Sequence, residues 1–276
     1  MDIERIDLNA YRKSGEGANG SSYDLISDER IMVKMYNPTY PVEEIYQEYD
    51  VAEKVYSLGI PSPQPGELVT DGERLGIRFK RILGKRSYSR MLADEPERYD
   101  EFAREFAEYC RKLHSVQCPE GMFPDARKQF LYLLEKDVTF NASQREVIAS
   151  FISQVPEGNT ALHGDMHIGN LISTLQYGEP LTSPHDVFFI DLGMTQMICL
   201  YSDDAFLEHD YHITRGLAVK FWESFVKYYF EGKYDVETAT RMIDPYCCCK
   251  CLLVEFNLGF MPEGYKKLIE RTFGFR

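Results

Sequence analysis

The sequence predicts an α+β chain of two lobes: a small, mostly antiparallel β-sheet lobe with one helix over residues 1–82, and a larger, mainly helical lobe over residues 83–276. Three observations carry this. Before Gly84 the apolar residues fall in short runs separated by Gly, Pro and Asp turns, whereas after it they recur at helical spacing. The 276 residues suit one or two domains, and a chain this long buries enough surface to fold without disulfide or metal staples. Apolar residues at 44% and charged residues at 27% give an ordinary globular composition, with no internal repeat or low-complexity tract.

In the first lobe, Leu8 to Ser14 leads into a Gly-rich turn and Tyr23 to Ser27 returns as a strand. Asp28-Glu29-Arg30 is a polar turn into the apolar strand Ile31 to Tyr36. From Val42 to Leu58 the residues Ile45, Tyr49, Ala52, Val55 and Tyr56 recur at helical spacing, and Gly59 stops the helix. Ile60 to Pro65 is too rich in proline for either regular element. Glu67 to Val69 and Leu75 to Phe79 flank Asp71-Gly72, a hairpin signal, which brings the expected sheet to five strands.

In the second lobe, helices are expected over Tyr99 to His114, Phe130 to Lys136, Ser143 to Val155, Phe206 to Phe230 and Val236 to Leu258. Leu162 to Ser173 and His185 to Gly193 interrupt them as loops and short strands, with Phe188-Phe189-Ile190 read as a strand ending in Asp191.

Charge and cysteine content narrow the function. Asp and Glu number 44 against 31 Lys and Arg, a net charge of −13, which disfavours non-specific nucleic-acid binding and attachment to anionic membranes. Met1 to Asp7 has no apolar secretory core, and no window approaches a membrane span. Seven cysteines, with Cys247, Cys248, Cys249 and Cys251 crowded together, fit reduced thiols, so a cytoplasmic protein is expected, as a monomer or homodimer. Cys248 and Cys251 form a C-x-x-C without a second pair at zinc spacing, and small buried side chains on a helix are the simpler reading.

Four pieces carry the chemistry. Gly15-Glu16-Gly17-Ala18-Asn19-Gly20 is a G-x-G-x-x-G, and Ser21 to Ile26 continues as a strand rather than opening a helix. That context favours a phosphate-covering hairpin over a dinucleotide turn. Lys34 lies inside an apolar strand, where an ammonium is costly unless it reaches an anion; Glu43, Glu44, Glu48 and Glu53 on the following helix are candidate partners.

His163-Gly164-Asp165-Met166-His167-Ile168-Gly169-Asn170 is an H-x-D-x-x-x-x-N, and Ile190-Asp191-Leu192-Gly193 places an acid after an apolar run. Phosphoryl transfer needs one carboxylate near the acceptor hydroxyl and oxygen ligands for Mg²⁺. Asp165 suits the first role, Asn170 and Asp191 the second. His163, Asp165 and His167 also have H-x-D-x-H zinc spacing, but that reading leaves Asn170, Asp191, Lys34 and the glycine loop without a role.

On these residues, over about residues 10 to 210, the chain resembles the aminoglycoside phosphotransferase and choline kinase-like family, the small-molecule branch of the protein-kinase-like fold. Leu113-His114 and Gly59-Ile60-Pro61-Ser62-Pro63 resemble family features as well. The resemblance implies that Asp165 is the catalytic base, that His163 orders the backbone around it, and that Asn170 and Asp191 ligate Mg²⁺. It further implies that Gly15, Gly17, Gly20 and Ser21 cover the phosphates of ATP or GTP, that Lys34 holds them with Glu48 as its partner, and that the backbone of Lys80, Arg81 and Ile82 holds the base.

The expected activity is transfer of the γ-phosphoryl group to a hydroxyl of a small molecule. The alternative is a nucleotide-binding regulator of the same fold with little catalysis. No Ala-Pro-Glu follows Asp191-Leu192-Gly193, which disfavours a protein acceptor. Asp203, Asp204, Glu208 and Asp210 form an acidic cluster that either attracts a cationic acceptor or simply starts a helix.

Overall fold

The computed structural model describes residues 3–17, 19–155, 158–174 and 188–275. Their contacts divide the chain into two compact units, the first holding the described residues up to Lys85 together with Ser173 and Thr174, the second Arg86–Ile172 and the described residues from 188 onward.

The first unit is a six-stranded sheet with one helix. Its strands are β1 (Glu4–Arg5), β2 (Tyr11–Gly17), β3 (Gly20–Leu25), β4 (Ile31–Tyr36), β5 (Pro65–Thr70) and β6 (Leu75–Lys80), in the order β1-β5-β6-β4-β3-β2. All neighbours are antiparallel except β1, which adds itself parallel to β5. The expected five strands therefore become six, because two residues too short and too charged to show alternation find an edge to pair with.

Alternation along β4 sorts its side chains. Val33 and Met35 enter a core with Ile6 and Val69 on one face. Tyr36 packs with Ile45, Leu68 and Ile77 on the other, under helix α1 (Val42–Ser57). Helix α1 buries Ile45, Val51, Ala52 and Val55. Glu48 falls on the same stripe, three residues beyond Ile45 and four before Ala52, so it faces the sheet while Glu43 and Glu44 stay exposed.

The second unit is helical: α2 (Tyr88–Asp94), α3 (Tyr99–Leu113), α4 (Ala126–Lys136), α5 (Ala142–Gln154), α6 (Phe188–Gln196), α7 (Asp204–Phe206), α8 (Arg215–Tyr229), α9 (Val236–Leu258) and α10 (Glu263–Phe273). A separate two-stranded sheet pairs β7 (Lys85–Ser87) with β8 (Ile172–Thr174). The aromatic core is centred on Phe106 of α3, whose ring makes edge contacts with Tyr88, Phe221 and Phe225 at 5.5 to 5.6 Å between centroids.

Three expectations need correction here. Phe188–Gln196 is a helix, not a strand leading to Asp191; a short apolar run suits a buried helix as well as a strand. Gly193 lets this helix lie close against α9, because a Cβ there would come within 2.9 Å of the backbone of Tyr246 and Cys247. The helix expected from Phe206 to Phe230 is broken: after α7, Leu207–Tyr211 winds as a wider π-turn. His212 then turns left-handed at φ 58°, and Thr214 caps α8 by accepting from the Leu217 amide. Helices α2 and α10 were not expected. Helix α2 hides Met91 and Leu92 behind a polar surface, and α10 buries only Leu268 and Ile269.

The seven cysteines form no disulfide, and Cys247, Cys248, Cys249 and Cys251 are buried within α9. Burial pushes their thiols up, Cys249 to about 12. Among the described residues no helix is long and apolar enough to cross a membrane.

Candidate active site

The first unit brings Lys34 and Glu48 together: Nζ lies 2.6 Å from Oε1, with the Lys34 ammonium also 4.6 Å from the centre of the Tyr36 ring. Strand β4 points Lys34 out of the face that carries α1, and the helix stripe presents Glu48 to it. Neither side chain is fully covered, at 30% and 25% exposure, so the ammonium keeps access to an anion from solvent. The Tyr36 hydroxyl is pushed up first by burial and then by the charge of Glu48.

The glycine-rich hairpin joins β2 to β3, with Gly17 paired to Gly20. The three glycines differ. At Gly20 a Cβ would come within 2.2 Å of the Met35 carbonyl oxygen, so packing of β3 on β4 alone demands a glycine. At Gly15 and Gly17 a Cβ would meet nothing closer than 3.8 Å, and nothing within the unit requires their lack of a side chain. Ser21 is buried within β3.

In the Lys80 to Ile82 segment two amides are already engaged, Lys80 N–H to the Gln64 carbonyl at 2.9 Å and Arg81 N–H to that of Arg30 at 2.7 Å. The Arg81 guanidinium pairs with buried Asp24 at 2.9 Å, and Asp24 accepts from the Ser14 hydroxyl as well.

In the second unit the loop from Leu162 to Leu171 is built around Asp165. Met166, Ile168 and Leu171 are buried anchors. The Tyr88 and Ser89 amides at the start of α2 donate to the Leu171 and Ile168 carbonyls at 3.1 and 2.8 Å, and the Thr195 hydroxyl of α6 donates to the Met166 carbonyl at 2.8 Å. Gly164 takes φ 78°, a left-handed turn that favours glycine. The Asp165 amide donates to Nδ1 of buried His163 at 3.2 Å.

Asn170 closes the loop onto Asp165. Its Nδ2 donates both to the Asp165 carbonyl at 2.9 Å and to the carboxylate Oδ2 at 2.8 Å. With the amide nitrogen so committed, Oδ1 is the atom Asn170 has to offer a hard cation. His167 stands on the other side, Nε2 3.7 Å from Asp165 Oδ2, its ring edge-on to Tyr211.

Burial raises the Asp165 carboxyl, but the neighbouring His167 ring and the charge of Lys250 outweigh it and hold the group well below the usual carboxylate range. Asp165 is thus an ionised, oriented acceptor, suited to orienting a hydroxyl more than to storing a proton.

Asp191 lies in α6, and its side chain is outside the described residues. Among the described residues no three His, Cys, Asp or Glu side chains gather as a metal site, so the H-x-D-x-H spacing of His163, Asp165 and His167 does not converge on one point.

The acidic cluster is exposed. Asp203 caps α7 by accepting from the Phe206 amide at 2.8 Å, Asp204 pairs with Arg215 at 3.0 Å, and Asp210 lies 3.3 Å from His209. Three of its four acids therefore have local partners.

Sequence reasoning missed Lys250. It sits in α9 amid the cysteines, is 3% exposed, and donates from Nζ to the Gly164 carbonyl. The signal was present, a lysine inside an apolar helical run, the same cost that singled out Lys34.

The model of the phosphotransferase enzyme family matches residues 11–217. Among solved structures, aminoglycoside phosphotransferase APH(4)-Ia in ternary complex with AMP-PNP and hygromycin B superposes with a TM-score of 0.61 at 12% identity, covering 95% of this chain and 93% of that one. A choline/ethanolamine kinase family protein from Mesorhizobium loti gives 0.54 at 15% identity, covering 96% and 85%. Aminoglycoside phosphotransferase APH(3'')-Id from Streptomyces rimosus gives 0.51 at 14%, covering 86% and 92%. At these identities the likeness is one of fold. No curated protein matches the chain.

Proposed function

Because the chain belongs to the phosphotransferase enzyme family, a family of small-molecule kinases, we propose that it moves the γ-phosphoryl group of ATP or GTP to a hydroxyl of a small molecule, with Asp165 as the group that orients that hydroxyl and accepts its proton. The observation that carries the reading is the Asp165 carboxylate, ionised and fixed by Asn170 at 2.8 Å. The solved relative with AMP-PNP and hygromycin B supports a nucleotide and a small-molecule acceptor.

In this reading Lys34, steadied by Glu48, holds the α- and β-phosphates, and the amides from Gly15 to Ser21 cover them. Gly15 and Gly17 fit that task because nothing in their own unit requires a glycine there. Since the Lys80 and Arg81 amides serve the sheet, the Ile82 amide is the group proposed for the base. His163 holds the Asp165 amide, so the carboxylate meets the acceptor from a fixed backbone.

Asn170, through Oδ1, and Asp191 would hold Mg²⁺, which supplies charge neutralisation at the phosphates. Most of the rate enhancement is then positioning and electrostatics. Asp203, Asp204, Glu208 and Asp210 bias the acceptor toward cations, with Glu208 the acid least committed to a neighbour.

The test is thermal stabilisation by ATP or GTP with Mg²⁺, followed by nucleotide consumption over a panel of aminoglycosides, amino alcohols and neutral sugars. Stabilisation with consumption on one class identifies the acceptor. Absence of stabilisation by either nucleotide contradicts the reading.

A further inference from the structure

We propose that Lys250 of α9 is a positioning residue of the catalytic loop: its buried ammonium clamps the Gly164 carbonyl and thereby fixes the peptide that carries Asp165. This rests on Asp165 being the acceptor-orienting group, and it assigns a task to the cysteine-rich stretch of α9.

The peptide unit between Gly164 and Asp165 is held at both poles. Its carbonyl accepts from Lys250 Nζ and its N–H donates to His163 Nδ1 at 3.2 Å. Rotation of that plane would swing the Asp165 side chain directly, and Gly164, already left-handed, offers little resistance of its own.

Lys250 reaches the loop because its surroundings are compact. Its ammonium lies 5.8 Å from the centre of the Phe130 ring, and its neighbours Cys247, Cys249 and Cys251 are fully buried or nearly so. The same helix touches the second motif: Cys247 Sγ donates to the Gly193 carbonyl at 3.1 Å, and Cys251 Sγ lies 3.9 Å from Met197 Sδ. The backbone of α9 comes close to Gly193, and Lys250 adds a charged tie from the same helix to the Gly164 carbonyl. A lysine buried this deeply is costly and is retained where its hydrogen bonds set geometry.

The experiment compares Lys250→Met, Lys250→Arg and Cys248→Ala with the wild-type chain. Two readouts are used: hydrogen exchange of the peptide spanning residues 161–170, and consumption of ATP with Mg²⁺ in which water is the acceptor. Lys250→Met is expected to speed exchange in that peptide about tenfold, the loss of one charge-assisted hydrogen bond. It is also expected to lower kcat by about ten- to a hundredfold while KM for ATP stays within about twofold.

Lys250→Arg, which can still span to the carbonyl, restores most of both. Cys248→Ala loosens the helix packing yet leaves the 161–170 exchange in place. If Lys250→Met does not fold, Lys250→Gln is read in its stead, its shorter side chain falling short of Gly164. Unchanged 161–170 exchange in the Met or Gln variant overturns the proposal. Failure of the underlying reading shows separately, as ATP consumption that is indifferent to Asp165→Ala.

Discussion

Lys34 Nζ and Glu48 Oε1 stand 2.6 Å apart, one on the middle of a strand and the other on the buried stripe of a helix. Of the four glutamates on α1 that sequence spacing allowed, only the one in phase with Ile45 and Ala52 meets the lysine. Replacing Lys34 by Met is expected to raise KM for ATP and lower kcat/KM by about a hundredfold with little loss of stability, as a partly exposed pair contributes little to folding. Steady-state kinetics beside a thermal melt checks both halves.

The glycines of the hairpin divide into one that packing requires, Gly20, and two that it does not, Gly15 and Gly17. Gly20→Ala drives a Cβ into the Met35 carbonyl oxygen and is expected to destabilise the protein by about 1–3 kcal/mol. Gly17→Ala has room and is expected to leave the melting temperature within a degree or two while weakening ATP binding. Denaturant unfolding and nucleotide titration of the two variants separate the roles.

Glu255 on α9 is buried beside Asp137, and its carboxyl is pushed up to about 7, first by burial and then by its hydrogen bond with Asp137. The folded state therefore holds a proton that the unfolded chain releases near pH 4. The stability this group confers is full below about pH 4 and is lost as pH rises through about 7. Glu255→Gln mimics the protonated acid. It is expected to match the wild type near pH 5 and to exceed it by on the order of 2 kcal/mol near pH 8, as measured by unfolding at both pH values.

The thiols provide a test of burial. Cys118 is partly exposed and the other six cysteines are buried, with the four in α9 and Cys199 all raised by burial. A thiol reagent at neutral pH is expected to modify one cysteine of the native chain promptly and all seven after denaturation.

Much of this was legible in the sequence because its cause is local. The Asp71-Gly72 turn, the Gly59 stop and the helices around Phe106 and Cys247 follow from turn chemistry and period. The resemblance rested on Asp165 and Asn170, whose five-residue spacing lets the amide close back on the carboxylate. What escaped depends on distant partners. The two residues of β1 are a strand only because β5 offers an edge, and Phe188 to Gln196 is a helix where Gly193 lets α9 come close. Lys250 becomes part of the site only when the fold brings a residue 86 positions from Gly164 to that carbonyl.

The central claim is that Asp165 acts on the acceptor hydroxyl while the nucleotide is held elsewhere. Its most direct test measures Asp165→Ala for nucleotide binding and for turnover on the acceptor found by screening. The account predicts ATP affinity within about threefold of wild type and turnover lowered by about a thousandfold or more. Turnover that survives the substitution, or turnover and ATP affinity lost in equal measure, would contradict it.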